Sequence, residues 1–121
     1  MSLNLPASVR YEKRDRIAII TMDRPEAMNS LTKEMLIGLE AAFDHFEADP
    51  HLRVAIFTAT GDRAFCTGLD LKVALPALNE GDALGYDDPA KRPFQRNFKP
   101  IITAVNGVCV AGGLEFMLGT D

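Results

Sequence analysis

The sequence predicts an α/β fold in which helices cover a sheet. Short runs rich in β-branched residues alternate with segments whose apolar residues recur at helical spacing. The order is strand, strand, helix, strand, loop, strand, helix. The chain has 121 residues, of which 47% are hydrophobic and 25% charged, so it holds one domain at most with a modest core.

The first half of the chain predicts two strands and a long amphipathic helix. Residues 9–13 and 16–22 predict two strands on either side of a short charged turn at Arg14–Asp15. Apolar residues then recur at helical spacing from Lys33 to Ala48. A polar start signal at Ser30 or Thr32 precedes this helix.

The middle of the chain predicts a strand, a glycine turn and a long loop. Residues 54–60 are continuously apolar, which is typical of a strand buried on both faces. Residues 64–72 begin extended, break at Gly68 and continue into a helix. The stretch 74–100 contains four prolines, which indicate a long loop with short helical pieces.

The last segment predicts the same order of elements again: a strand, a glycine turn and a helix. Residues 99–110 predict a strand with a turn at Asn106–Gly107, and residues 111–121 turn into a helix. The two glycine turns, 68–70 and 111–113, each leave a backbone N–H at a helix start. Two such donors converging on one point would bind a carbonyl oxygen as negative charge develops on it. Taken alone, however, glycine turns more often simply join elements.

Charge, apolar patterning and cysteine spacing argue against several classes of protein. The net charge of -4 argues against a broad nucleic-acid-binding surface. No apolar run approaches membrane-spanning length, and the N-terminus has no signal-peptide core. Cys66 and Cys109 lack metal-ligand spacing, so we expect no metal site and a reduced, cytoplasmic protein.

Three stretches resemble the signature segments of the crotonase (enoyl-CoA hydratase/isomerase) family. They are "DRPEAMNSLTKEM", "RAFCTGLDLK" and "KPIITAVNGVCVAGGLEFMLGTD", in the family's order and with its spacing. The resemblance implies a spiral of ββα turns, with residues 1–121 forming the N-terminal part of the core domain. It also implies a homotrimer or hexamer that acts on acyl-CoA thioesters through an enolate-like oxyanion. Coenzyme A would enter as part of the substrate, with no separate cofactor and no metal.

The resemblance also assigns roles to individual residues. The backbone N–H groups of Leu69 and Gly112 would form the oxyanion hole. Glu115 would be the first of the hydratases' two catalytic glutamates, holding or activating the water that adds to a 2-enoyl thioester. Contacts with the acyl-CoA substrate are implied at Ala27, Met28, Ala64, Gly68, Leu69, Asp70, Leu71 and Gly112.

Several functional interpretations stay open at this point. The second catalytic glutamate and the helices that close the acyl pocket would lie beyond Asp121, so we expect no hydratase activity from 121 residues alone. A hydratase of 2-enoyl-CoA is the leading hypothesis. The alternatives are a catalytically silent acyl-CoA-binding protein, an inactive fragment and, within the family, an enoyl-CoA isomerase.

Other reactive side chains have simpler interpretations. Cys66 is interpreted as a buried structural thiol, because no histidine lies near it in sequence. His45 and His51 are expected to be solvated, and Asp70 is expected to cap or brace its turn. The cations that are candidates for CoA phosphates, each more often a solvated surface charge, are Arg24, Lys33, Lys72, Lys91, Arg92, Arg96 and Lys99.

Overall fold

A computed structural model describes residues 3–82 and 94–121, which fold as three successive strand–strand–helix units. A 3-10 turn at Pro25–Ala27 interrupts the first unit before its helix. The elements are β1 (Val9–Arg14), β2 (Ile17–Met22) and α1 (Lys33–Ala48), then β3 (Val54–Ala59), β4 (Ala64–Cys66) and α2 (Leu71–Asn79), then β5 (Ile101–Thr103), β6 (Val108–Cys109) and α3 (Gly112–Leu118).

The units divide their strands between two sheets. The larger sheet has the order β1-β2-β3-β5, with an antiparallel β1–β2 pair followed by parallel pairs. The smaller sheet pairs β4 with β6 in parallel. The second and third units therefore each place their first strand in the larger sheet and their second strand in the smaller one. This arrangement confirms the α/β prediction and the spiral of ββα turns.

Helix α1 begins and ends where its sequence signals predict. The Thr32 hydroxyl accepts a hydrogen bond from the Met35 N–H at 3.2 Å, which satisfies one of the donors left free at a helix start. Asp49 is extended and ends the helix. The helix buries one apolar face against β1 and β2, through Met35, Gly38, Leu39, Ala42, Phe43 and Phe46.

Phe57, on the central strand β3, joins the three units through aromatic contacts. Its ring is fully buried and lies 5.2 Å from Phe43 of α1, measured between ring centroids. It lies 5.3 Å from Phe65 of β4 and 5.8 Å from Phe116 of α3. Edge-to-face and tilted rings add to the free energy of burial, so this residue stabilises the contact between both sheets and two helices.

Strand β3 is buried on one face only, so the prediction of burial on both faces was wrong. Ala55, Phe57 and Ala59 are buried, whereas the residues between them are partly exposed. The reason is that α1 packs on the larger sheet from one side, while α3 packs against the smaller sheet. A short apolar run looks the same in either environment.

The turn at Asn106–Gly107 is a crossing between sheets, because β5 and β6 belong to different sheets. The Asn106 amide nitrogen donates to the carbonyl oxygens of Gly61 and Ala64, at 2.8 and 3.2 Å. The chain is thus tied to the turn before β4 as it crosses.

The predicted loop at 74–100 is partly helical, since α2 continues to Asn79. Residues 83–93 lie outside the described residues. Beyond them, the Glu47 carboxylate of α1 accepts hydrogen bonds from the backbone N–H groups of Phe98 and Lys99, at 3.0 and 3.3 Å. These bonds hold the chain against α1 before β5 begins.

We predict that Phe57→Ala lowers the free energy of unfolding by about 3–5 kcal/mol, because it removes a buried ring and leaves a cavity. The matched change Phe98→Ala, at a side chain that is 89% exposed, should change it by less than about 0.5 kcal/mol. Urea titration followed by circular dichroism measures both. Equal losses from the two variants would contradict the assignment of Phe57 to the core.

Candidate active site

The two glycine turns lie side by side because β4 and β6 are parallel neighbours. Cys66 lies opposite Cys109 in the register of the two strands, so the turns that follow leave the same edge of the small sheet. A Cβ built on Gly68 would lie 2.8 Å from the Ala111 Cβ and 3.2 Å from the Gly112 nitrogen. The turns are therefore in van der Waals contact, and a side chain at Gly68 would separate them.

The first turn presents the N–H of Leu69. The Gly68 carbonyl oxygen accepts the Leu31 N–H at 2.7 Å, and the Asp70 N–H donates to the Leu31 carbonyl oxygen at 2.8 Å. These bonds form an isolated parallel bridge between Leu31 and Leu69. Because C=O and N–H of a trans peptide point in opposite directions, the Leu69 N–H is turned away from Leu31. It donates to no acceptor among the described residues.

The second turn presents the N–H of Gly112. The Gly113 N–H donates to the Val110 carbonyl oxygen at 2.9 Å and closes the turn. Ala111, inside it, has φ 49° and ψ -124°, a conformation that costs a non-glycine residue about 1–3 kcal/mol. Gly112 is the first residue of α3, where an N–H has no acceptor within the helix. This N–H also has no acceptor in the described part of the chain.

Glu115 lies one helical turn after Gly112, on the same face of α3. Its backbone N–H donates to the Ala111 carbonyl oxygen at 3.0 Å, which holds it in the helix. Its side chain is exposed and forms no hydrogen bond or ion pair within residues 3–82 and 94–121. The geometry thus brings an open carboxylate near the second of the two free N–H groups.

Among the predicted substrate contacts, three border the first turn. Met28 has left-handed φ of 56°, and its carbonyl oxygen accepts the Thr67 hydroxyl at 3.3 Å. This bond places the half-buried Ala27–Met28 segment beside Gly68. Leu71 begins α2 with its side chain 59% exposed. An apolar ligand could therefore contact the helix next to the Leu69 N–H.

Ala64 differs from the other predicted contacts. Its side chain is 2% exposed, and its carbonyl oxygen accepts the amide groups of Asn29 and Asn106, at 2.9 and 3.2 Å. The structure gives it a place in the framework beneath the turns, and its contact with substrate stays a prediction.

The sequence model of the enoyl-CoA hydratase/isomerase family matches residues 12–121. The chain belongs to this family. It is 41% identical over 115 residues to (E)-benzylidenesuccinyl-CoA hydratase of Thauera aromatica, covering 93% of this chain and 44% of that relative. It is 40% identical over 120 residues to carnitinyl-CoA dehydratase of Salmonella arizonae, covering 94% and 44% of the two chains.

A crystal structure of an enoyl-CoA hydratase from Mycobacterium tuberculosis is similar to this fold. The two share 40% identity and a TM-score of 0.78, over 96% of this chain and 44% of the other. A structure of an enoyl-CoA hydratase/isomerase from Mycobacterium abscessus has a TM-score of 0.80 at 38% identity, over 97% of this chain and 44% of that one. The chain therefore spans less than half the length of these relatives.

Sequence reasoning missed the role of Asn29 in this member of the hydratase/isomerase family. Asn29 is 1% exposed, and its amide oxygen accepts the Arg24 N–H at 2.8 Å. Its amide nitrogen donates to the carbonyl oxygens of Thr60 and Ala64, at 3.1 and 2.9 Å. It ties the Ala27–Met28 loop to the ends of both sheets. The signal available in the sequence was the asparagine itself in a turn before α1, since asparagine tolerates the left-handed φ of 53° that it adopts.

Asp70 has the predicted role of a brace and cap. Its Oδ1 accepts the Lys72 N–H at 3.1 Å at the start of α2. Its Oδ2 accepts the Arg24 guanidinium at 2.8 Å. The hydrogen bond from Arg24, assisted by the helix start, lowers the pKa of the Asp70 carboxyl below its usual value, so the group stays ionised at neutral pH.

The other candidate cations are mostly engaged elsewhere. Lys33 pairs with Asp82, and Arg96 pairs with Glu40 and Asp44. Lys99 donates to the carbonyl oxygens of Phe46 and Asp49 at the end of α1, at 3.0 and 2.6 Å. Lys72 is exposed, and Lys91 and Arg92 lie outside the described residues.

Two further interpretations were tested by the structure. Cys66 is fully buried, and burial raises the pKa of its thiol to about 11, which confirms a structural thiol rather than a nucleophile. The expectation of a solvated His45 was wrong, because its Nδ1 lies 2.9 Å from the Tyr11 hydroxyl.

Metal-ligating clusters and membrane-spanning helices are both absent from residues 3–82 and 94–121. These residues contain no group of three or more His, Cys, Asp or Glu side chains that could hold a metal ion. In the same ranges, no helix is both long enough and apolar enough to cross a membrane.

We predict that Gly113→Ala lowers the free energy of unfolding by about 2 kcal/mol or more, because its Cβ would overlap the Cys66 carbonyl oxygen. Gly112→Ala is the matched control in the same helical turn. Its Cβ would lie 3.3 Å from the Gly68 Cα, so the contact is tight but tolerable. The free energy of unfolding of Gly112→Ala should stay within about 1 kcal/mol of the wild-type value, since alanine also favours the helix. Urea titration checks the difference, and equal stabilities would contradict the close packing of α3 on β4.

We predict that iodoacetamide alkylates Cys109 before Cys66 at neutral pH. Cys109 is half-buried, whereas Cys66 is fully buried with its thiol strongly protonated. Mass spectrometry of the chain over time measures the order of modification, and Cys109→Ala isolates the rate at Cys66. Rapid alkylation of that variant would contradict the structural role of Cys66.

Proposed function

We propose that this protein binds acyl-CoA thioesters, stabilises negative charge on the thioester oxygen and serves the hydration of 2-enoyl-CoA to 3-hydroxyacyl-CoA. The observation that carries the proposal is the contact between two turns whose Leu69 and Gly112 N–H groups lack protein acceptors in the described residues. Residues 1–121 would form the N-terminal part of the spiral core.

The two N–H groups suit the chemistry of conjugate addition. Water adds at C3 of the enoyl thioester, and the electron pair moves toward the thioester oxygen. Donors already fixed in direction stabilise that charge without further reorganisation. In other acyl-transfer sites the loss of one such donor costs about 3–4 kcal/mol of transition-state stabilisation. With this magnitude, the two N–H groups would be the largest contribution of the described residues to stabilising the transition state.

Glu115 would act as the base for the attacking water. Its exposed carboxylate lies one helical turn from the Gly112 N–H, so water bound there would lie near the polarised thioester. Leu71 and Met28, beside the first turn, would contact the acyl-CoA. Coenzyme A is part of the substrate in this proposal, which includes no metal and no separate cofactor.

An acyl-CoA binder without hydratase activity, or an isomerase, is the second candidate, and one observation favours it. The Asp70 carboxylate is occupied by Arg24 and by the start of α2. Within the described residues, Glu115 is therefore the carboxylate left beside the turns. Hydration needs a proton donor to the α-carbon as well as a base for water, whereas isomerisation needs one base that moves a proton from C2 to C4.

We also propose that the working enzyme is a homotrimer or hexamer in the cytoplasm. Large apolar side chains around β5, β6 and α3 are exposed in the single chain, which a larger assembly would cover. They are Ile102, Val105, Val108, Val110, Leu114 and Leu118. The two free cysteines suit a reducing compartment. Sedimentation velocity tests the assembly, and a monomer at micromolar concentration would contradict it.

We predict that the wild-type chain binds butyryl-CoA, a saturated thioester that cannot be hydrated, and that binding moves the amide proton resonances of Leu69 and Gly112 downfield. Nuclear magnetic resonance spectra of the labelled protein measure both effects. Binding without either shift, or no binding, would contradict the oxyanion site. Binding with both shifts fits the hydratase and the silent binder alike. In a longer chain that supplies the second carboxylate, a lack of product from crotonyl-CoA supports the silent binder, and conversion of a 3-enoyl thioester supports the isomerase.

In a longer chain that also supplies the second carboxylate, we predict that Glu115→Gln lowers the rate of crotonyl-CoA hydration by about 10²–10⁴-fold, because the amide cannot accept a proton from water. Glu80→Gln is the matched control, since Glu80 is exposed at the end of α2. The loss of enoyl-thioester absorbance measures the rate. A variant at Glu115 with the rate of the wild-type chain would exclude its role as the base.

A further inference from the structure

We propose that Arg24 is a positioning residue that aims the Leu69 N–H toward the thioester oxygen. The proposal rests on the proposed function of that N–H, and its test can fail separately. Arg24 precedes the 3-10 turn, far in sequence from Leu69. Its guanidinium nevertheless contacts both chain segments that meet at the bridge between Leu31 and Leu69.

The guanidinium forms three hydrogen bonds from two nitrogen atoms. Nη1 donates to the carbonyl oxygen and the hydroxyl oxygen of Ser30, at 3.1 and 2.9 Å. Nη2 donates to Oδ2 of Asp70 at 2.8 Å. The side chains of Arg24 and Asp70 are only 23% and 13% exposed. Charge-assisted bonds are stronger than neutral ones, and partial burial reduces their screening by salt.

Ser30 and Asp70 are the residues that border the bridge. Ser30 precedes Leu31, and Asp70 follows Leu69. The backbone bonds of the bridge, 2.7 and 2.8 Å long, join these same two segments. Arg24 therefore holds together, by side-chain bonds, the segments that the bridge joins by backbone bonds.

The bridge decides the direction of the Leu69 N–H. The peptide between Gly68 and Leu69 has its carbonyl oxygen on the Leu31 N–H, which fixes the N–H in the opposite direction. Gly68 has φ of 95° and could rotate about neighbouring bonds if the bridge opened. A donor that rotates no longer provides a fixed dipole for the developing charge.

The backbone of Arg24 also holds the loop that contains the predicted Ala27 and Met28 contacts. Its carbonyl oxygen accepts the N–H groups of Ala27 and Asn29, at 3.1 and 2.9 Å. Its N–H donates to the Asn29 amide oxygen at 2.8 Å. One residue thus positions the oxyanion donor through its side chain and the neighbouring loop through its main chain.

Lysine cannot replace this guanidinium. The planar fork places Nη1 on Ser30 and Nη2 on Asp70 at the same time, whereas an ammonium group is a single point of charge. Asp70→Asn keeps the size of the side chain and its ability to cap α2, but removes its charge. Asp70→Asn therefore removes the ion pair and keeps the helix cap.

The first test needs no ligand. In Arg24→Met, we expect the amide hydrogens of Leu31 and Asp70 to exchange about tenfold faster or more, because opening the bridge becomes easier. The Phe57 amide, in the core, should keep its rate. Arg96→Met is the matched control, because Arg96 also pairs with two carboxylates, Glu40 and Asp44, on the surface of α1.

Asp70→Asn should raise the same two exchange rates, which keeps the test valid if Arg24→Met fails to fold. Hydrogen exchange followed by magnetic resonance gives the rates for each amide. Rates at Leu31 and Asp70 that stay within about twofold of the wild-type chain in both variants would overturn the proposal.

The second test uses butyryl-CoA labelled with ¹³C at the thioester carbonyl. Binding to the wild-type chain should move this resonance downfield, because two N–H donors polarise the carbonyl. In Arg24→Met the displacement should fall by roughly half, as one of the two donors is no longer aimed. Arg24→Lys should not restore it, and Arg96→Met should leave it unchanged.

The two proposals fail in different ways. If the wild-type chain does not bind butyryl-CoA, the proposed function is overturned, and with it the role of the Leu69 N–H as a donor to the thioester oxygen. The exchange rates of the Leu31 and Asp70 amides still decide whether Arg24 holds the bridge. Binding with a full downfield displacement in Arg24→Met leaves the oxyanion site intact and overturns the role of Arg24.

Discussion

The parallel pairing of β4 and β6 is the constraint on which the candidate site depends. Because both strands run in the same direction, the turns that follow them leave one edge of the small sheet. Gly68 and Gly112 then meet in van der Waals contact. Had the strands paired in opposite directions, the free N–H groups of Leu69 and Gly112 would lie at opposite edges, and no ligand oxygen could reach both.

The larger sheet keeps this small sheet in place. The chain crosses from the larger sheet to the smaller one twice, after β3 and after β5. Asn29 and Asn106, from different units, both donate to the Ala64 carbonyl oxygen at the start of β4. Phe57 packs against Phe65 of the same strand from the other sheet. The strand that carries the first turn is therefore held by two side-chain hydrogen bonds at its start and by aromatic packing.

Backbone strain is concentrated around the same turns. Met28, Asn29 and Ala111 have left-handed φ values, and each lies in a loop that borders the free N–H groups. Such conformations persist only where surrounding contacts stabilise them. Here the bonds of Asn29 and the closed turn at Val110–Gly113 supply those contacts. In a site that stabilises charge, groups held in fixed directions are more effective than groups that must reorganise.

The sequence by itself determined the local elements: α1 with its Thr32 cap, the short strands, and the glycine turns at 68–70 and 111–113. Periodicity, capping and turn chemistry act over a few neighbouring residues, so the local sequence is enough to predict these elements. The resemblance to the enoyl-CoA hydratase/isomerase family predicted the spiral. Only the tertiary structure decided that β3 is half-exposed and that Arg24 binds Asp70, 46 positions away. These features depend on which distant segments meet when apolar surface is buried, and a short run of letters is compatible with several such partners.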